Sequence, residues 1–575
     1  MSGDAAASHL TYRAARGAAA ARYDPVTLEI VESSLQATSD EMFGVMRKTA
    51  MSAIIYEVLD LGTCVTDAEG NLAAAGAGIP AFVGTLDKAV KRLLELHRLE
   101  TIEPGDVFAT NDPFYGGVTH LNDVVFAMPV FADDRLVAWT ANIAHWNDVG
   151  GMVPGSISNE AHELFQEGLR LPGIKLIARG EPIRPVIEIM RVNSRLPDFL
   201  LGDMWSGIAA VRLGAARVEE LVRKYGADTL VVALERYLDR GELGARRALT
   251  TLPHGRFELS ERQDSGAVYT VSVEISDDAF VVDLRDNPDQ DAGSANLGRD
   301  GALVSAQMVF TNVTDPHGIV NGGTFRPLQV LTREGSIFDA REPAAFGVYA
   351  ETMIRLYDLI WRCLAPHVDG RLPAGHYASI CGTFIGGRHP DTGRHFTVVE
   401  PQLGGWGATS TADGNSAMFT GMHGDTFNCP VEVAEARYGL DVEQLALNEA
   451  PGGAGERCGG RGIVLDYRVR GGGIFFTCAY TRAEELPWAL EGGREGSANY
   501  VELIRADGSR ERHGVATALQ LNAGDLIRIR TGTGGGHGDP RRRPRELVLE
   551  DMRNGLVTAA EAAEVYGLER ELVDV

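Results

Sequence analysis

Three residues in the first third of the chain have the side-chain types and the spacing of a metal site. His120 and Asp123 are three residues apart, and His145 follows 22 residues after Asp123. Two imidazoles and one carboxylate suit a divalent transition metal such as Mn, Zn or Fe, and leave coordination positions open for water or substrate. A His-x-x-Asp pair alone is also a common loop hydrogen bond, so the prediction depends on His145 lying beside the pair.

The predicted secondary structure brings these three residues together. Strand-like runs cover 124–131 and 136–143, and a short turn joins them. If the two strands pair as a hairpin, the beginning of the first and the end of the second lie side by side. His120 and Asp123, just before the first strand, would then meet His145 at one end of a sheet.

Two further aspartates are candidates for the surroundings of the same metal. Asp60 stands where a predicted helix is followed by a strand, and it could supply a fourth ligand or be an ordinary helix-end residue. Asp148 lies three residues after His145, and it could orient a histidine through the ring nitrogen that does not face the metal.

The length of the chain and its pattern of glycine and apolar residues predict several domains. A chain of 575 residues is long enough for two to four. Its 68 glycines, about 12% against roughly 7% in average proteins, cluster in short motifs that indicate many tight turns. Apolar spacing predicts helices over 24–56, 85–97, 161–168 and 198–247, a strand hairpin over 63–71, and a last helix over 559–566.

From these patterns we predict an α+β, mixed multi-domain fold in which β-sheets and Gly-rich turns are flanked by helices. The predicted parts are a flexible N-terminal arm over 1–23, a metal-binding α/β domain over 24–250, a mixed α/β middle domain over 251–390, and a Gly-rich, β-dominated C-terminal domain over 391–575.

Composition and charge argue against several classes of protein. The content of 44% hydrophobic and 23% charged residues is typical of soluble globular proteins. A net charge of −25 with a single compact basic run, 541–545, argues against a nucleic-acid binder; we expect that run to be a solvated loop or a subunit contact.

Targeting and redox signals favour the cytoplasm. No stretch approaches the roughly 20 apolar residues that span a bilayer, and residues 1–22 lack the unbroken apolar core of a signal peptide. Six scattered cysteines without a Cys-x-x-Cys pair suit a reducing compartment. We therefore predict a cytoplasmic protein that does not bind membranes.

Longer segments resemble signature motifs of the hydantoinase B/oxoprolinase family. The first is NDPFYGGVTHLNDVVFAMPVF (111–131), followed by AHWNDVGGMVPGSIS (144–158) and HELFQEGLRLPGIKL (162–176). The later segments NGGTFRPLQVL, GGWGATSTADGN, PVEVAEARYGL, PGGAGERCGGRG and TGGGHGDP fall in family order. The resemblance covers about residues 24–570, and it implies a hydantoinase B-like fold.

The resemblance implies an ATP-dependent hetero-oligomer. In this family ATP, with its Mg²⁺, is handled by a separate hydantoinase A-like subunit or domain, and the B-type chain carries one divalent transition metal. His120, Asp123 and His145 match the family's metal-binding motifs. Asp60 matches the Asp of its Asp-Phe-Ser element, although Leu61-Gly62 follows it here.

The chain carries no Walker A motif, since none of its Gly-rich stretches ends in Gly-Lys-Ser/Thr. The segment TGTGGGHGDP (531–540) could be compared with a phosphate-binding loop, but we expect a tight turn or packing loop there.

Departures from the family pattern leave the substrate open. Trp146 replaces the usual second His of its motif, and Phe82 stands where a His commonly follows Ile-Pro. Asn415 and the stretch 449–451 also differ from the usual motif. We expect Trp146 to supply an apolar wall in place of a polar group.

Three functions follow from the resemblance. The first is hydrolysis of a hydantoin-like or lactam ring after phosphorylation of a carbonyl oxygen, with Asp148 as the predicted acid or base. Glu163 and Glu167 are weaker candidates for that role, since each could be a solvated helix carboxylate. The second function is ATP-dependent carboxylation of a ketone of the acetone or acetophenone type. The third is a non-catalytic scaffold subunit, against which the complete ligand set argues.

Overall fold

A computed structural model describes residues 23–114, 117, 119–368, 370–424 and 426–568. The predicted N-terminal arm lies outside the described residues except for Tyr23. The described part of the chain is an α+β multi-domain fold, as predicted.

The α-helices of the described residues are α1 (Pro25–Thr49), α2 (Ala53–Tyr56), α3 (Pro80–Leu96), α4 (Arg184–Val192), α5 (Pro197–Tyr225), α6 (Ala227–Leu249), α7 (Arg299–Thr314), α8 (Tyr349–Leu364), α9 (Val431–Arg437), α10 (Arg545–Arg553) and α11 (Ala559–Glu564). None of them is long and apolar enough to cross a membrane.

The strands of the described residues are β1 (Leu61–Asp67), β2 (Leu72–Ala75), β3 (Val107–Thr110), β4 (Asp123–Ala132), β5 (Arg135–His145), β6 (Ile174–Ala178), β7 (Glu181–Pro182), β8 (Gly255–Arg262), β9 (Val268–Ile275), β10 (Phe280–Asp283), β11 (Leu328–Leu331), β12 (Gly382–Arg388), β13 (His395–Glu400), β14 (Leu440–Leu447), β15 (Ile463–Val469), β16 (Ile474–Ala479), β17 (Tyr500–Ile504), β18 (Arg510–His513), β19 (Val515–Leu521) and β20 (Leu526–Arg530).

These strands form four sheets. The first has the order β2-β1-β5-β4-β3-β6-β7, and all of its neighbours run antiparallel. The second has the order β11-β10-β9-β8, the third β13-β12-β16-β19, and the fourth β14-β15-β20-β17-β18. The division into four predicted domains stays a prediction, although α6 ends at Leu249 and the second sheet begins at Gly255, next to the predicted boundary.

Helices cover both faces of the interior strand β5. Side chains alternate across a strand, so Thr140 and Asn142 bond to α5 backbone at Val211 and Gly207. The opposite face packs against α3, where Ile143 and Phe82 flank Gly62. The site-bearing end of β5 is therefore held from two sides.

Most predicted helices and the two hairpins are confirmed, but the helix over 161–168 is wrong. Only a 3₁₀ turn forms there, over Leu164–Gln166. Glu163 and Gln166 cap each other across this single turn. Gly168 then has a φ of +135°, which a right-handed helix cannot contain. The first predicted helix is also interrupted, because Ala50 is extended between α1 and α2.

The glycine-rich segment near the C-terminus is a packing segment. The backbone N–H groups of Gly534, Gly535 and Gly536 each donate to a carbonyl oxygen of another glycine-rich stretch or loop, at 2.8–2.9 Å. A Cβ on Gly534 would lie 2.0 Å from the Trp406 carbonyl oxygen. These N–H groups are already used within the fold, so the segment is a packing loop, as expected, and not a phosphate-binding loop.

The basic run is exposed at Arg541, Arg542 and Arg545, as expected of a solvated loop, but Arg543 is an exception. Arg543 is buried, and its guanidinium bonds to Asp413 and Asp551. One of the arginines in the run therefore joins the last helices to the glycine-rich region.

Candidate metal centre

Three candidate ligands lie side by side across the first sheet. Asp123 on β4 pairs with His145 on β5, and Leu61 on β1 pairs with Ala144. The His145 N–H donates to the Asp60 carbonyl oxygen at 3.1 Å, which places Asp60 opposite His145 at the start of β1. Directly opposed residues of antiparallel strands point to the same face. The register therefore places Asp60, His145 and Asp123 on one face at one end of the sheet.

A tight turn before β4 adds His120 to this group. The Asp123 N–H donates to the His120 carbonyl oxygen at 3.1 Å. The turn places the His120 ring 5.1 Å from the His145 ring and its Nε2 3.3 Å from Asp123 Oδ1. One ligand atom from each of His120, Asp123 and His145 lies within 4.8 Å of the others. The structure thus brings together the three residues predicted to bind the metal.

Asp123 is oriented by two hydroxyl groups. Its Oδ2 accepts hydrogen bonds from Thr119 Oγ1 and from Tyr349 Oη, the latter at 3.1 Å. Burial by itself raises the pKa of Asp123, but His120 foremost and the hydrogen bond from Thr119 outweigh it and hold the pKa below its usual value. The carboxylate is therefore ionised, with Oδ1 directed at His120.

Several residues of this site have a buried polar atom without a partner, which is typical of a cation site. Asp60 Oδ1, His120 Nδ1, His145 Nδ1 and His423 Nδ1 are buried and have no hydrogen-bond partner among the described residues. An unpaired buried polar atom costs about 1–3 kcal/mol. Burial lowers the pKa of His145 to about 3, so its ring is neutral and can offer a lone pair. These residues fit a divalent transition metal.

Asp60 fits the same cation less directly. It lines the cavity beside His120 and His145, but it lies outside the group whose ligand atoms are within 4.8 Å of one another. Burial, followed by the charge of Asp123, raises the pKa of Asp60 well above its usual value. A bound cation would stabilise two such neighbouring carboxylates in their charged form. Its role as fourth ligand stays a prediction.

The ligands open onto a small cavity of about 50 Å³. Most of its wall is apolar, with Ile79, Phe82, Ile157, Ile380, Phe384, Val399 and Met422. Its other polar side chains are Tyr349, Glu351, Glu400 and His423. The free space is small, so only a compact ligand or part of a ligand fits beside the metal position.

His423 was not found by sequence reasoning. Its side chain is buried, lies in the cavity lining, and interacts electrostatically with Asp123 and His145. Burial lowers its pKa to about 4. No local spacing links it to residues almost 300 positions earlier. The only signal was a histidine in the glycine-rich run Thr420–Gly424.

Asp148 lies apart from the cavity lining, and both of its carboxylate oxygens are engaged. Oδ1 accepts from the N–H groups of Gly150 and Arg195, and Oδ2 accepts from the Gly155 N–H and the Arg195 guanidinium, at 2.9–3.1 Å. These contacts favour a role in holding the loop after β5. The acid/base role and the histidine-orienting role of Asp148 remain predictions, and none of its hydrogen bonds goes to His120 or His145.

Of the two glutamates considered above as solvated carboxylates, one is solvated and the other is not. Glu163 is exposed and caps the 3₁₀ turn, whereas Glu167 is buried. The Glu167 carboxylate accepts from the backbone N–H groups of Phe346 and Gly347 at 2.6–3.0 Å. It therefore ties this turn to the segment that leads into α8 and Tyr349.

The apolar wall comes from Phe82 rather than Trp146. Trp146 follows His145 directly after the end of β5 and points to the other face, where it packs against Phe126 at 6.0 Å between ring centroids. The expectation that Trp146 forms the wall is therefore wrong, because alternation turns it away from the cavity. Phe82, at the start of α3, lines the cavity.

Comparisons with known proteins agree with this architecture. Two similar curated proteins are the caprolactamase subunit beta of Pseudomonas jessenii and 5-oxoprolinase 1 of Arabidopsis thaliana. The first is 30% identical over 95% of this chain and 96% of that protein. The second is 27% identical over 90% of this chain but only 42% of that protein.

Solved structures match over nearly the whole chain. A crystal structure of the ATP-dependent caprolactamase from Pseudomonas jessenii has a TM-score of 0.87 and 27% identity, covering 95% of this chain and 96% of the other. Nucleotide-free acetone carboxylase has a TM-score of 0.88 at 19% identity, covering 95% of this chain and 80% of the other, which shows a shared fold.

The sequence model described as hydantoinase B/oxoprolinase matches residues 24–540, a span that contains all four candidate ligands and His423. The chain belongs to the hydantoinase B/oxoprolinase family.

Proposed function

We propose that this chain is the metal-carrying subunit of an ATP-dependent enzyme that hydrolyses a hydantoin-like or lactam ring. A hydantoinase A-like partner would use ATP and Mg²⁺ to phosphorylate the carbonyl oxygen, and the ring would open at the cavity described above. The observation that carries the proposal is the convergence of His120, Asp123 and His145 on one small buried cavity. The kinship with an ATP-dependent caprolactamase supports the reaction class.

The residues around the cavity have distinct proposed tasks. His120, Asp123 and His145, with Asp60 as fourth ligand, would hold a divalent cation, which supplies Lewis acidity when bound. Tyr349 and Thr119 keep Asp123 in its ligand orientation. Phe82 and its apolar neighbours exclude bulk water, and this strengthens each polar interaction inside.

Carboxylation of a ketone is the second candidate. The apolar cavity wall suits a neutral ketone as well as a neutral lactam, and this observation keeps the candidate open. The two reactions differ in their co-substrate. Consumption of bicarbonate with a carboxylate on the product would identify a carboxylase, whereas ring opening without bicarbonate would identify a hydrolase.

The first prediction tests the metal ligands. In the complex purified with its partner, elemental analysis is expected to find about one divalent transition metal per chain. His120→Ala is expected to lose most of this metal and the ATP-dependent ring opening, because a three- or four-ligand site rarely tolerates the loss of one imidazole. His254→Ala, at a partly exposed histidine outside the cavity, is the matched control. Full metal occupancy in His120→Ala would remove this residue from the site.

A further inference from the structure

Charge is distributed unevenly around the cavity. Among the described residues that line it, three are carboxylates (Asp60, Glu351 and Glu400) and none is an arginine or a lysine. Asp123, one of the ligands, adds a fourth carboxylate at the metal position. A divalent cation held by Asp60 and Asp123 would already be balanced by these two carboxylates, so the described part of the wall offers no further positive charge to an anionic ligand.

The hydrogen-bond donors that contact the two glutamates are already used by these carboxylates, so they are not free to bind a ligand. Glu351 accepts from Ser379 Oγ and the Ile380 N–H, both at 3.0 Å, and also from Thr481 Oγ1. The donors around these carboxylates therefore already have acceptors.

The hydrogen-bond donors around Glu400 are engaged in the same way. It accepts from Tyr467 Oη at 2.7 Å, from the Cys429 N–H at 2.6 Å and from Gln402 Nε2 at 3.2 Å. The Arg195 guanidinium lies outside the cavity lining and is likewise engaged, by Asp148 and by two carbonyl oxygens. A carboxylate on an entering substrate would find no arginine or lysine among the described lining residues, and at most a hydrogen bond from His423.

An anion that enters such a cavity loses its water without compensation. A neutral carbonyl compound with an apolar ring loses much less, and its ring gains contact with Phe82, Phe384 and Ile380. We propose that this cavity selects a small uncharged carbonyl compound and rejects one that bears a free carboxylate next to the reacting ring. This proposal rests on the proposed function and narrows it to neutral lactams, neutral hydantoins or neutral ketones.

A set of three lactams tests the proposal. 2-Pyrrolidone and 5-oxoproline share the same five-membered ring and differ by one carboxylate. 5-Ethyl-2-pyrrolidone carries a neutral substituent of comparable reach at the same carbon, so it controls for size. With the complete, metal-loaded complex and ATP, kcat/KM for both neutral lactams is expected to exceed that for 5-oxoproline by about 100-fold or more.

A binding measurement separates this proposal from the proposed reaction. Calorimetric titration of the three lactams into the metal-loaded complex without ATP should give the same order of affinity. If no lactam is opened but the neutral compounds bind more tightly, the selection stands and the ring-opening proposal fails. If 5-oxoproline is bound or opened as well as 2-pyrrolidone, the selection is overturned. Rejection of 5-ethyl-2-pyrrolidone together with 5-oxoproline, or binding of none of the three, also overturns it.

A variant offers an independent check. Met422→Arg places a cation on the cavity wall, and it is expected to raise the ratio of 5-oxoproline to 2-pyrrolidone affinity by about tenfold or more, because an opposite charge stabilises the bound carboxylate. Met422→Leu, a volume-conserving change, is expected to keep that ratio. A folded Met422→Arg variant with an unchanged ratio would contradict the proposed role of charge. If this variant does not fold, the comparison of the three lactams with the native protein tests the proposal.

Discussion

His423 lines the cavity but is not one of the predicted metal ligands, so its role needs a separate explanation. It reaches the cavity from the glycine-rich part of the chain, and its Nδ1 has no hydrogen-bond partner among the described residues. Tyr349, by contrast, already donates to Asp123. His423 is therefore the side chain best placed to donate a hydrogen bond to an oxygen of the bound substrate.

The second prediction is made at this residue. His423→Phe is expected to lower kcat/KM by about 10²–10³-fold, the usual effect of removing one donor at a developing negative charge. His423→Gln, which keeps an N–H donor, should recover part of the loss. Steady-state kinetics with elemental analysis on the same samples would measure both effects.

Metal content decides between two roles for His423. Unchanged metal in His423→Phe supports a hydrogen-bonding role towards substrate. Loss of metal in parallel with activity would instead make His423 a ligand, and equal activity of His423→Phe and the native protein would remove it from the site.

At the scale of elements, one buried glutamate links the loop after β5 to the start of α8. Burial raises the pKa of Glu167 to about 7, and this outweighs the backbone N–H groups of Phe346 and Gly347, which lower it. The folded protein therefore favours the neutral carboxyl relative to the unfolded chain, where the pKa is near 4.5.

The third prediction follows from that difference. A carboxyl whose pKa is raised by folding stabilises the folded state fully below about pH 4.5, and this contribution is lost as the pH rises through 7. Glu167→Gln cannot ionise, so the free energy of unfolding of the native protein relative to the variant should fall between pH 5 and pH 8. The expected change is on the order of 3 kcal/mol.

Urea denaturation of both proteins across this range would measure the difference. A difference in unfolding free energy that stays constant with pH would show that Glu167 titrates normally.

At the scale of the whole molecule, a buried cluster of charges joins the second sheet to the glycine-rich region. Glu261 on β8, Arg355 and Asp358 on α8, and Arg482 after β16 are all buried and bonded to one another. Trp488 adds a hydrogen bond to Asp358 at 3.1 Å. Burial by itself raises the pKa of Asp358, but Arg482 foremost holds it well below its usual value.

The fourth prediction concerns this cluster. Asp358→Ala is expected to reduce the free energy of unfolding by about 3–5 kcal/mol, because it leaves the Arg355 and Arg482 guanidinium groups buried with one partner fewer. Asp283→Ala removes a surface ion pair with Arg285 and is expected to cost less than about 1 kcal/mol. Chemical denaturation of the two variants compares them, and equal losses would contradict the importance of the buried cluster.

The part of the site that depends on strand pairing could be predicted from local sequence patterns. The hairpin of β4 and β5 could be predicted from two strand-like runs and a short turn, and its register then brings Asp123 to His145. The helix over 161–168 could not be rejected in the same way. Its apolar spacing is helical, but Gly168 leaves the helical region of φ, and the turn is held by contacts with distant segments.

Contacts between distant segments decided the roles of the remaining residues. Asp148 and Glu167 are both acidic residues near the metal motif in sequence, yet one holds its own loop and the other anchors the segment before α8. Trp146 and Phe82 both departed from the family pattern, but only Phe82 lines the cavity.

The sequence by itself determined the family, the three central metal-binding candidates and the sheet end where they meet, because those features depend on local motifs and on the two-residue alternation of neighbouring strands. Only the tertiary structure decided which side chains surround the metal position. His423, Tyr349 and the glutamates come from segments more than 200 residues away, and packing of the four sheets brings them to one cavity. The absence of cations among the described residues of its wall is likewise a property of that packing, since the chain carries 54 lysines and arginines elsewhere.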